Sequence, residues 1–343
     1  MSTEAIESPI NEEYRLKSSD CRNAFSVSAP TMTQLYKKLE IKVKGASRSQ
    51  YLEWEDVRAI FESRGYIYPK NKVVTISVGK GGTGKSTSCY YLAIRLVQYG
   101  HRVLVVDSDP QGNVSQELLR GHEEKYLDEE TIILSDILAT NAENSIEEGI
   151  IKVTEHLHLL ASTDLNNDLD NTIRTALEKG SSPEAIFKKQ LKKLKGQYDI
   201  ILIDCAPTLS VVNTSMIGAA DLVILPINPD NLSFASLEKT MKHLESMEDY
   251  WEREIERKIL FTRIDKREYA TLNQYIHKIA TSYPDYLAKT GIGTSSDVRK
   301  AMMKSDDLFS YSSSSAKRDY DALAIEIMEH FNLGKKIGSR SRK

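Results

Sequence analysis

The sequence predicts an α/β protein built on a doubly wound, mostly parallel sheet, with a small helical region ahead of it. Short apolar, β-branched segments alternate with segments of helix length along most of the 343 residues. Such continuous apolar runs are typical of strands buried on both faces of a parallel sheet. One run ends in a glycine-rich turn and two end in carboxylates. These polar ends fall where open parallel sheets bind their ligands.

The composition excludes several functional classes. With 40% hydrophobic and 28% charged residues, the chain is globular rather than disordered. A net charge of -3 disfavours a uniformly basic coat for nucleic acid but leaves room for a local basic patch. The three cysteines, Cys21, Cys89 and Cys205, form no CxxC pair, which disfavours a disulfide scaffold or a zinc ribbon. No apolar run reaches about 18 residues and the N-terminus is polar, so we expect a soluble cytoplasmic protein.

We divide the chain into an N-terminal region (residues 1–70), a main domain (71–333) and a flexible basic tail (334–343). Residues 1–28 carry little periodicity and are expected to form a frayed or weakly helical arm. Residues 33–39 and 53–62 have the apolar spacing of short helices and flank a basic, loop-like stretch. The tail has too many glycines and too few apolar residues to anchor a membrane.

The N-terminal region resembles a winged helix-turn-helix of the MerR kind. Two features carry the resemblance: the succession of helix, basic turn and helix, and the stretch YLEWEDV at 51–57. The resemblance implies an operator-binding module. Its candidate DNA contacts are Lys37, Lys38, Lys42, Lys44 and Arg48. The alternative is a helical cap on the main domain whose lysines are only solvated.

A P-loop is the most specific motif of the chain. A β-branched strand at 73–78 runs into GKGGTGKS at 79–86, followed by a helix-length segment to Gly100. The glycines let backbone N–H groups surround phosphate oxygens, Lys85 can bridge the β- and γ-phosphates, and the Ser86 hydroxyl is a ligand for Mg²⁺. The predicted nucleotide contacts are Gly81, Gly82, Thr83, Gly84, Lys85, Ser86 and Thr87.

Lys80 is a second lysine inside this loop, and an ordinary P-loop does not need it. The run KGGTGKST at 80–87 closely resembles the deviant P-loop of the ParA/MinD ATPases. In that family the extra lysine reaches across a dimer interface to the partner's nucleotide. The resemblance therefore implies a catalytic Lys80, acting much as an arginine finger does. The alternative is an exposed lysine on a loop.

Two further motifs follow in the order of the same family. The strand at 102–106 leads into DSDPQGN at 107–113, similar to the ParA sequence DxDPQGN, and the strand at 198–203 ends in Asp204. The resemblance makes Asp109 the residue that orients the attacking water and Asp107 a contributor to the magnesium environment. Asp107 is also open to interpretation as a helix cap or turn residue. Asp204 corresponds to the Walker B carboxylate that holds Mg²⁺ through water.

The rest of the main domain fits the same sheet. Strand-like segments recur at 156–160, 221–226 and 258–262, and helical segments separate them. The turns after two of these strands resemble the base-binding loops of the family. They place adenine near Pro229 and Thr262.

Within the ParA/MinD family, the missing cluster cysteines exclude the iron–sulfur branches, and the tail disfavours the membrane-binding branch. The resemblance then implies a DNA partition ATPase, nucleoid-associated, that dimerises with ATP, binds double-stranded DNA without sequence preference, and hydrolyses ATP slowly until a ParB-type partner stimulates it. It also admits repression of its own operator. A positioning ATPase for a protein cargo and an ATP-gated repressor are the alternatives. Candidate DNA contacts of the closed dimer are Arg263, Lys266, Arg267, Arg299, Lys300, Lys304, Lys317 and Arg318.

Overall fold

The computed structural model describes residues 12, 14–46, 50–128, 130–139, 144–304 and 306–332, without the side chains of residues 167 and 266. Three predictions lie outside these residues: the first part of the arm (1–11), the DNA contact at Arg48, and the basic tail (334–343). Within the described ranges, no helix is both long and apolar enough to cross a membrane.

An eight-stranded sheet forms the centre of the molecule, in the order β10-β9-β8-β3-β7-β4-β6-β5. All of its neighbouring strands are parallel except the β5–β6 pair at one edge. A separate antiparallel pair joins β1 and β2. The strands are β1 (Leu16–Lys17), β2 (Tyr51–Leu52), β3 (Lys72–Ile76), β4 (Val103–Asp107), β5 (Ile150–Lys152), β6 (Leu157–Leu160), β7 (Ile200–Asp204), β8 (Leu222–Ile227), β9 (Arg257–Ile264) and β10 (Leu287–Gly293).

Helices cover both faces of this sheet, which confirms the predicted doubly wound α/β architecture. They are α1 (Ser18–Ala24), α2 (Ala29–Lys38), α3 (Trp54–Ser63), α4 (Lys85–Gln98), α5 (Asn113–Leu118), α6 (Glu123–Tyr126), α7 (Leu134–Leu138), α8 (Leu169–Glu178), α9 (Pro183–Leu191), α10 (Val211–Gly218), α11 (Asn231–Trp251), α12 (Tyr269–Ser282), α13 (Ser296–Lys304) and α14 (Ser315–Phe331).

Side chains alternate across the central strands, because successive residues of a strand point to opposite faces. In β4, Val103 and Val105 pack in one apolar cluster, whereas Leu104 and Val106 pack in another on the opposite face. All four are completely buried. This two-sided burial explains why the strand reads as an unbroken apolar run rather than as an alternating pattern.

The N-terminal region is more ordered than the sequence predicted. Residues 16–24 form β1 and α1, so these residues have the helical character allowed for the arm, but they are packed rather than frayed. Leu16 and Cys21 are buried, and the ring of Phe25 packs against Phe61 of α3 at 4.5 Å between centroids. These long-range apolar contacts stabilise a helix that is only seven residues long.

The elements β1, α1, α2, β2 and α3 are here called the N-terminal unit. Four residues separate α1 from α2, and an antiparallel bridge joins Lys44 to Tyr51 after α2. The predicted helices at 33–39 and 53–62 correspond to α2 and α3, but α2 begins earlier, at Ala29, because Ser28 caps its first turn. The turn between two helices therefore precedes α2 instead of following it.

A buried ionic network joins the N-terminal unit to the main domain. Arg95 of α4 is completely buried and forms ion pairs with Asp20 of α1, at 3.4 Å, and with Asp321 of α14. The ammonium group of Lys317 lies 2.8 Å from Asp20 and donates to the carbonyl of Phe309. Apolar residues of the N-terminal unit also belong to the same core cluster as α4 and α14. The two parts share one core on this face of the sheet.

We predict that Asp20→Asn lowers the free energy of unfolding by about 3 kcal/mol, because it leaves two buried cations with one carboxylate fewer. Denaturant unfolding of the full chain measures the effect. The matched control is Asp170→Asn, which breaks an exposed helical pair with Arg174 and should cost under ~0.5 kcal/mol. Equal losses in the two variants would contradict a stabilising role for the buried network.

Candidate functional site

The P-loop connects β3 to α4 at the carboxyl end of the central strand. Gly84 precedes the first residue of α4 and has a φ of 80°, a left-handed conformation that favours glycine. The loop and the start of α4 line a cavity of about 360 Å³, here called the phosphate cavity. Among the predicted nucleotide contacts, its lining includes Gly81, Gly82, Gly84, Lys85, Ser86 and Thr87. Backbone N–H groups at a helix N-terminus favour a bound anion at this place.

A second cavity of about 670 Å³ adjoins the first, and the two share Gly84 and Thr87. Thr262 and Arg263 at the end of β9 line it, together with Arg299 of α13. Its position and size suit the nucleoside half of a ligand whose phosphates lie in the phosphate cavity.

The two residues predicted to lie near adenine differ in their placement. Thr262 borders the second cavity, but its hydroxyl lies 2.7 Å from the carbonyl of Thr83 and donates to it. It therefore fixes the P-loop against β9, and Thr83 is buried behind the loop. Pro229 lines neither of the two cavities.

Asp107 and Asp204 end two adjacent strands, β4 and β7, and are register partners in the sheet. One oxygen of Asp107 accepts from the N–H of Asp109, and the other accepts from the N–H and the hydroxyl of Ser115. Burial raises the pKa of Asp107 to about 7 in spite of these hydrogen bonds. Its oxygens are occupied by the turn after β4, so the cap-and-turn interpretation fits Asp107 better than direct metal ligation.

Asp204 differs from Asp107 in the hydrogen bonding of its carboxylate. Its side chain is completely buried, and both carboxylate oxygens lack a hydrogen-bond partner among the described residues. Burial and the neighbouring Asp107 raise its pKa well above the usual range, while Ser86 and Lys85 oppose the shift. An unsatisfied buried carboxylate is costly unless a cation or a donor joins it. The position therefore fits a carboxylate that holds hydrated Mg²⁺ beside the Ser86 hydroxyl.

Asp109 lies at the mouth of the same site. It lines the phosphate cavity and is only 6% exposed. Its Oδ1 accepts a hydrogen bond from the N–H of Gln111 at 3.0 Å, which holds the turn that follows β4. A carboxylate held beside the phosphates is placed to accept a hydrogen bond from a water there.

The two P-loop lysines point to different places. Lys85 lines the phosphate cavity and donates to the carbonyl of Lys80 at 3.2 Å. Burial lowers the pKa of Lys85, although the negative charge of Asp204 acts to raise it. Lys80 is turned the other way, with its ammonium group 2.9 Å from Asp230 and 2.9 Å from the hydroxyl of Ser233. Lys80 therefore does not face the phosphate cavity of its own chain.

Asp230 is a site residue that the sequence analysis missed. It is the N-cap of α11, where it accepts from the N–H of Ser233 at 2.7 Å. Burial acts to raise its pKa, but the hydrogen bonds from Lys80 and Ser233 together outweigh burial and hold the pKa below the usual range. The D-x-x-S pattern before an apolar segment signals such a cap. Nothing in the sequence signals that Lys80, 150 positions earlier, completes the cluster.

The structure corrects one predicted DNA contact. Lys317 is buried, and its ammonium group is held by Asp20 and the carbonyl of Phe309, so the prediction that it lies on a DNA-binding surface is wrong. The remaining described candidates are exposed, although several have carboxylate partners. Lys44 pairs with Glu53, Lys300 with Asp297 and Arg267 with Asp265. The exposed candidates are Lys37, Lys38, Lys42, Lys44, Arg263, Arg267, Arg299, Lys300, Lys304 and Arg318.

A parallel sheet with a glycine-rich phosphate loop after its central strand defines a P-loop nucleotide-binding protein. The sequence profile of the AAA domain family matches residues 71–257. The chain is 28% identical to the sporulation initiation inhibitor protein Soj of Bacillus subtilis over 224 residues, 64% of this chain and 83% of Soj. It is 29% identical to the chromosome partitioning protein ParA of Caulobacter vibrioides over 177 residues, 51% of this chain and 62% of that protein.

A solved structure shares the fold. It is a plasmid partition protein of Borrelia burgdorferi bound to AMPPNP, with a TM-score of 0.63 and 21% identity, covering 76% of this chain and 100% of that chain. Because the profile matches more than half of the sequence, the chain belongs to the AAA domain family.

Proposed function

We propose that this protein is a ParA-like ATPase that drives plasmid or chromosome partition. ATP and Mg²⁺ bring two copies together, the closed dimer binds double-stranded DNA without sequence preference, and hydrolysis releases it. A ParB-type centromere-binding partner stimulates an otherwise slow hydrolysis. The protein then resides in the cytoplasm on the nucleoid. The relatives named for chromosome partitioning and plasmid partition support this proposal.

The observation that carries the proposal is the position of Lys80. Its ammonium group lies outside the phosphate cavity of its own chain, tied to Asp230 at the start of α11. Two exposed apolar side chains, Leu209 and Leu232, belong to segments next to this pair. Leu209 comes within 3.5 Å of a Cβ built on Gly79 of the P-loop, and Leu232 is in the first turn of α11. Exposed apolar side chains in segments next to an outward lysine suit a second copy of the chain.

The geometry of the site suggests a role for each residue. The P-loop glycines and Thr87 would surround the phosphates, Lys85 would neutralise their charge, and Ser86 with Asp204 would hold Mg²⁺. The metal, when bound, supplies charge neutralisation at the bridging oxygens. Asp109 would orient the attacking water, and Asp107 would hold the turn that carries Asp109. Lys80 would reach the partner's phosphates once it leaves Asp230.

The N-terminal unit supports a second activity, repression of the protein's own operator. Its two helices joined by a short turn, followed by an antiparallel bridge, have the arrangement in which a second helix reads the major groove. Lys37 and Lys38 are exposed in the last turn of α2, and Lys42 follows them. In this proposal α2 is the recognition helix. An ATP-gated repressor without partition activity is the corresponding alternative.

Hydrolysis and DNA binding, measured together, test the proposed function. We expect a random duplex to bind the ATP form of the protein about tenfold or more tightly than the ADP form, in a salt-sensitive manner, and to leave hydrolysis slow. Lys85→Ala serves as the control, because without its phosphate contact the protein should bind DNA as the ADP form does. DNA binding that ignores the nucleotide would favour the repressor. No DNA binding in any state would favour an ATPase that positions a protein cargo.

A further inference from the structure

A dense group of lysines lies on α9 and the turn that follows it, far in sequence from the predicted DNA contacts. Five lysines fall between residues 188 and 195, and no acidic residue occurs from 185 to 198. Four of the five are exposed and Lys193 is half-buried. They are Lys188, Lys189, Lys192, Lys193 and Lys195, here called the α9 lysine patch. The local charge of +5 contrasts with the net charge of -3 of the whole chain.

The patch is held in place by its own apolar side. Phe187, Leu191 and Leu194 recur at helical spacing and are buried in the core cluster on this face of the sheet. The lysines are consequently displayed on an ordered surface. None of the five forms an ion pair or side-chain hydrogen bond with any described residue, although Glu147 and Glu148 lie on a neighbouring turn. Glu184 lies four residues before Lys188 in the first turn of α9, and it too forms no ion pair with a patch lysine among the described residues.

The location of the patch relates it to the N-terminal unit. The patch leads into the amino end of β7, which is the end of the sheet opposite to the P-loop. Asp199, just before β7, pairs with Arg58 of α3 at 2.7 Å. Gly196 lies beside Lys70, with 3.8 Å between a Cβ built on Gly196 and the Lys70 side chain. The patch therefore lies at the end of the sheet where Asp199 contacts α3, and it is remote from the P-loop.

We propose that the α9 lysine patch is a second contact for the phosphate backbone of double-stranded DNA, continuous with DNA held by the N-terminal unit and independent of the bound nucleotide. This inference rests on the proposed function, since it assumes that the N-terminal unit binds DNA. Unpaired lysines on an ordered surface gain most from a polyanion, because counterions released from the DNA drive the association. Such contacts position the protein on the duplex without reading its sequence.

The test compares the salt dependence of duplex binding in two triple variants of the full chain. Lys188→Gln/Lys189→Gln/Lys192→Gln removes three exposed patch lysines while keeping good helix-forming residues. Lys179→Gln/Lys242→Gln/Lys289→Gln is the control, with the same change in net charge. It removes three exposed lysines outside the patch: Lys179 at the end of α8, Lys242 in α11 and Lys289 in β10. The probe is a labelled random-sequence duplex, titrated at several salt concentrations with ATP and with ADP.

We expect the patch variant to bind about tenfold more weakly near physiological salt and to lower the slope of log K against log salt by roughly two to three. The loss should be equal with ATP and with ADP, and hydrolysis without DNA should not change. A patch variant that matches the control variant, or a loss confined to the ATP form, would overturn the inference alone. Absence of DNA binding by the unsubstituted chain would instead overturn the proposed function and the inference with it.

Discussion

Lys80→Ala is expected to reduce the rate of ATP hydrolysis by about 10²- to 10³-fold and to abolish ATP-dependent DNA binding, while a single chain still binds ATP. The ammonium group of Lys80 faces Asp230 and Ser233 instead of the phosphate cavity, so its loss removes little from nucleotide binding within one chain. It removes the cation that one copy would supply to the other. Hydrolysis, nucleotide affinity and sedimentation with ATP measure these three quantities.

The Lys80–Asp230 pair adds a prediction of opposite direction within the same experiment. Asp230→Asn keeps an N-cap for α11, because an amide oxygen can still accept from Ser233. It weakens the hold on Lys80, so dimerisation with ATP should need less protein. Both side chains are partly exposed, at 25% and 42%, which limits the gain to about fivefold.

Lys239→Ala, an exposed change on the same helix, is the control for both variants and should alter none of these quantities. Wild-type hydrolysis and dimerisation by Lys80→Ala would contradict a trans-acting lysine. Such a result would also remove the main support for the proposed dimer.

The sequence was most informative where residues are buried on both sides of the sheet. Six of the eight strands of the central sheet were predicted from apolar segments, and most residues of these strands are buried. The two edge strands went unpredicted. The shorter, β5, has three half-buried residues, and β10 is interrupted by Gly291 and ends in Gly293. An edge strand is defined by its pairing with one neighbouring strand, and its sequence need not be apolar throughout.

The mistaken assignments share a physical cause, which is pairing between distant parts of the chain. The helix α1 is short and polar, and the buried Asp20 within it is matched by Arg95 and Lys317. Seen alone, Lys317 follows a serine-rich stretch and looks like a surface lysine. Only the fold brings a carboxylate from the beginning of the chain against it. Asp230 was not predicted for the same reason, because its partner Lys80 is distant in the sequence.

Most of the predicted phosphate contacts line one cavity, because the residues of a P-loop are contiguous in the sequence. Loop glycines and a helix N-terminus act within one stretch of chain. The roles of Asp107 and Asp109 were harder to separate, because two carboxylates two residues apart look equivalent in a sequence. Their hydrogen bonds distinguish them. Asp107 accepts from Asp109 and twice from Ser115, whereas the Oδ1 of Asp109 accepts from the N–H of Gln111 and its side chain lines the cavity.

This difference leads to the second large effect. Asp109→Asn should lower the hydrolysis rate by about 10²- to 10³-fold and leave ATP binding and the unfolding midpoint nearly unchanged. The amide oxygen can still accept from Gln111, so the turn persists, but the charge that would orient a water is lost. Because ATP is no longer consumed, ATP-dependent binding to a random duplex should last longer than in the wild type.

Asp107→Asn is the matched variant, with the same chemical change two residues earlier. An amide offers one acceptor oxygen in place of two, so it cannot satisfy Asp109 on one side and Ser115 on the other. We therefore expect Asp107→Asn to lower the unfolding midpoint as well as hydrolysis. If Asp109→Asn hydrolysed ATP at the wild-type rate, the water-orienting role would fall to another group in the phosphate cavity. If both variants lost stability equally, Asp109 would be a structural residue of the turn, because a carboxylate needed only for chemistry leaves the fold unchanged when its shape and its hydrogen bond are preserved.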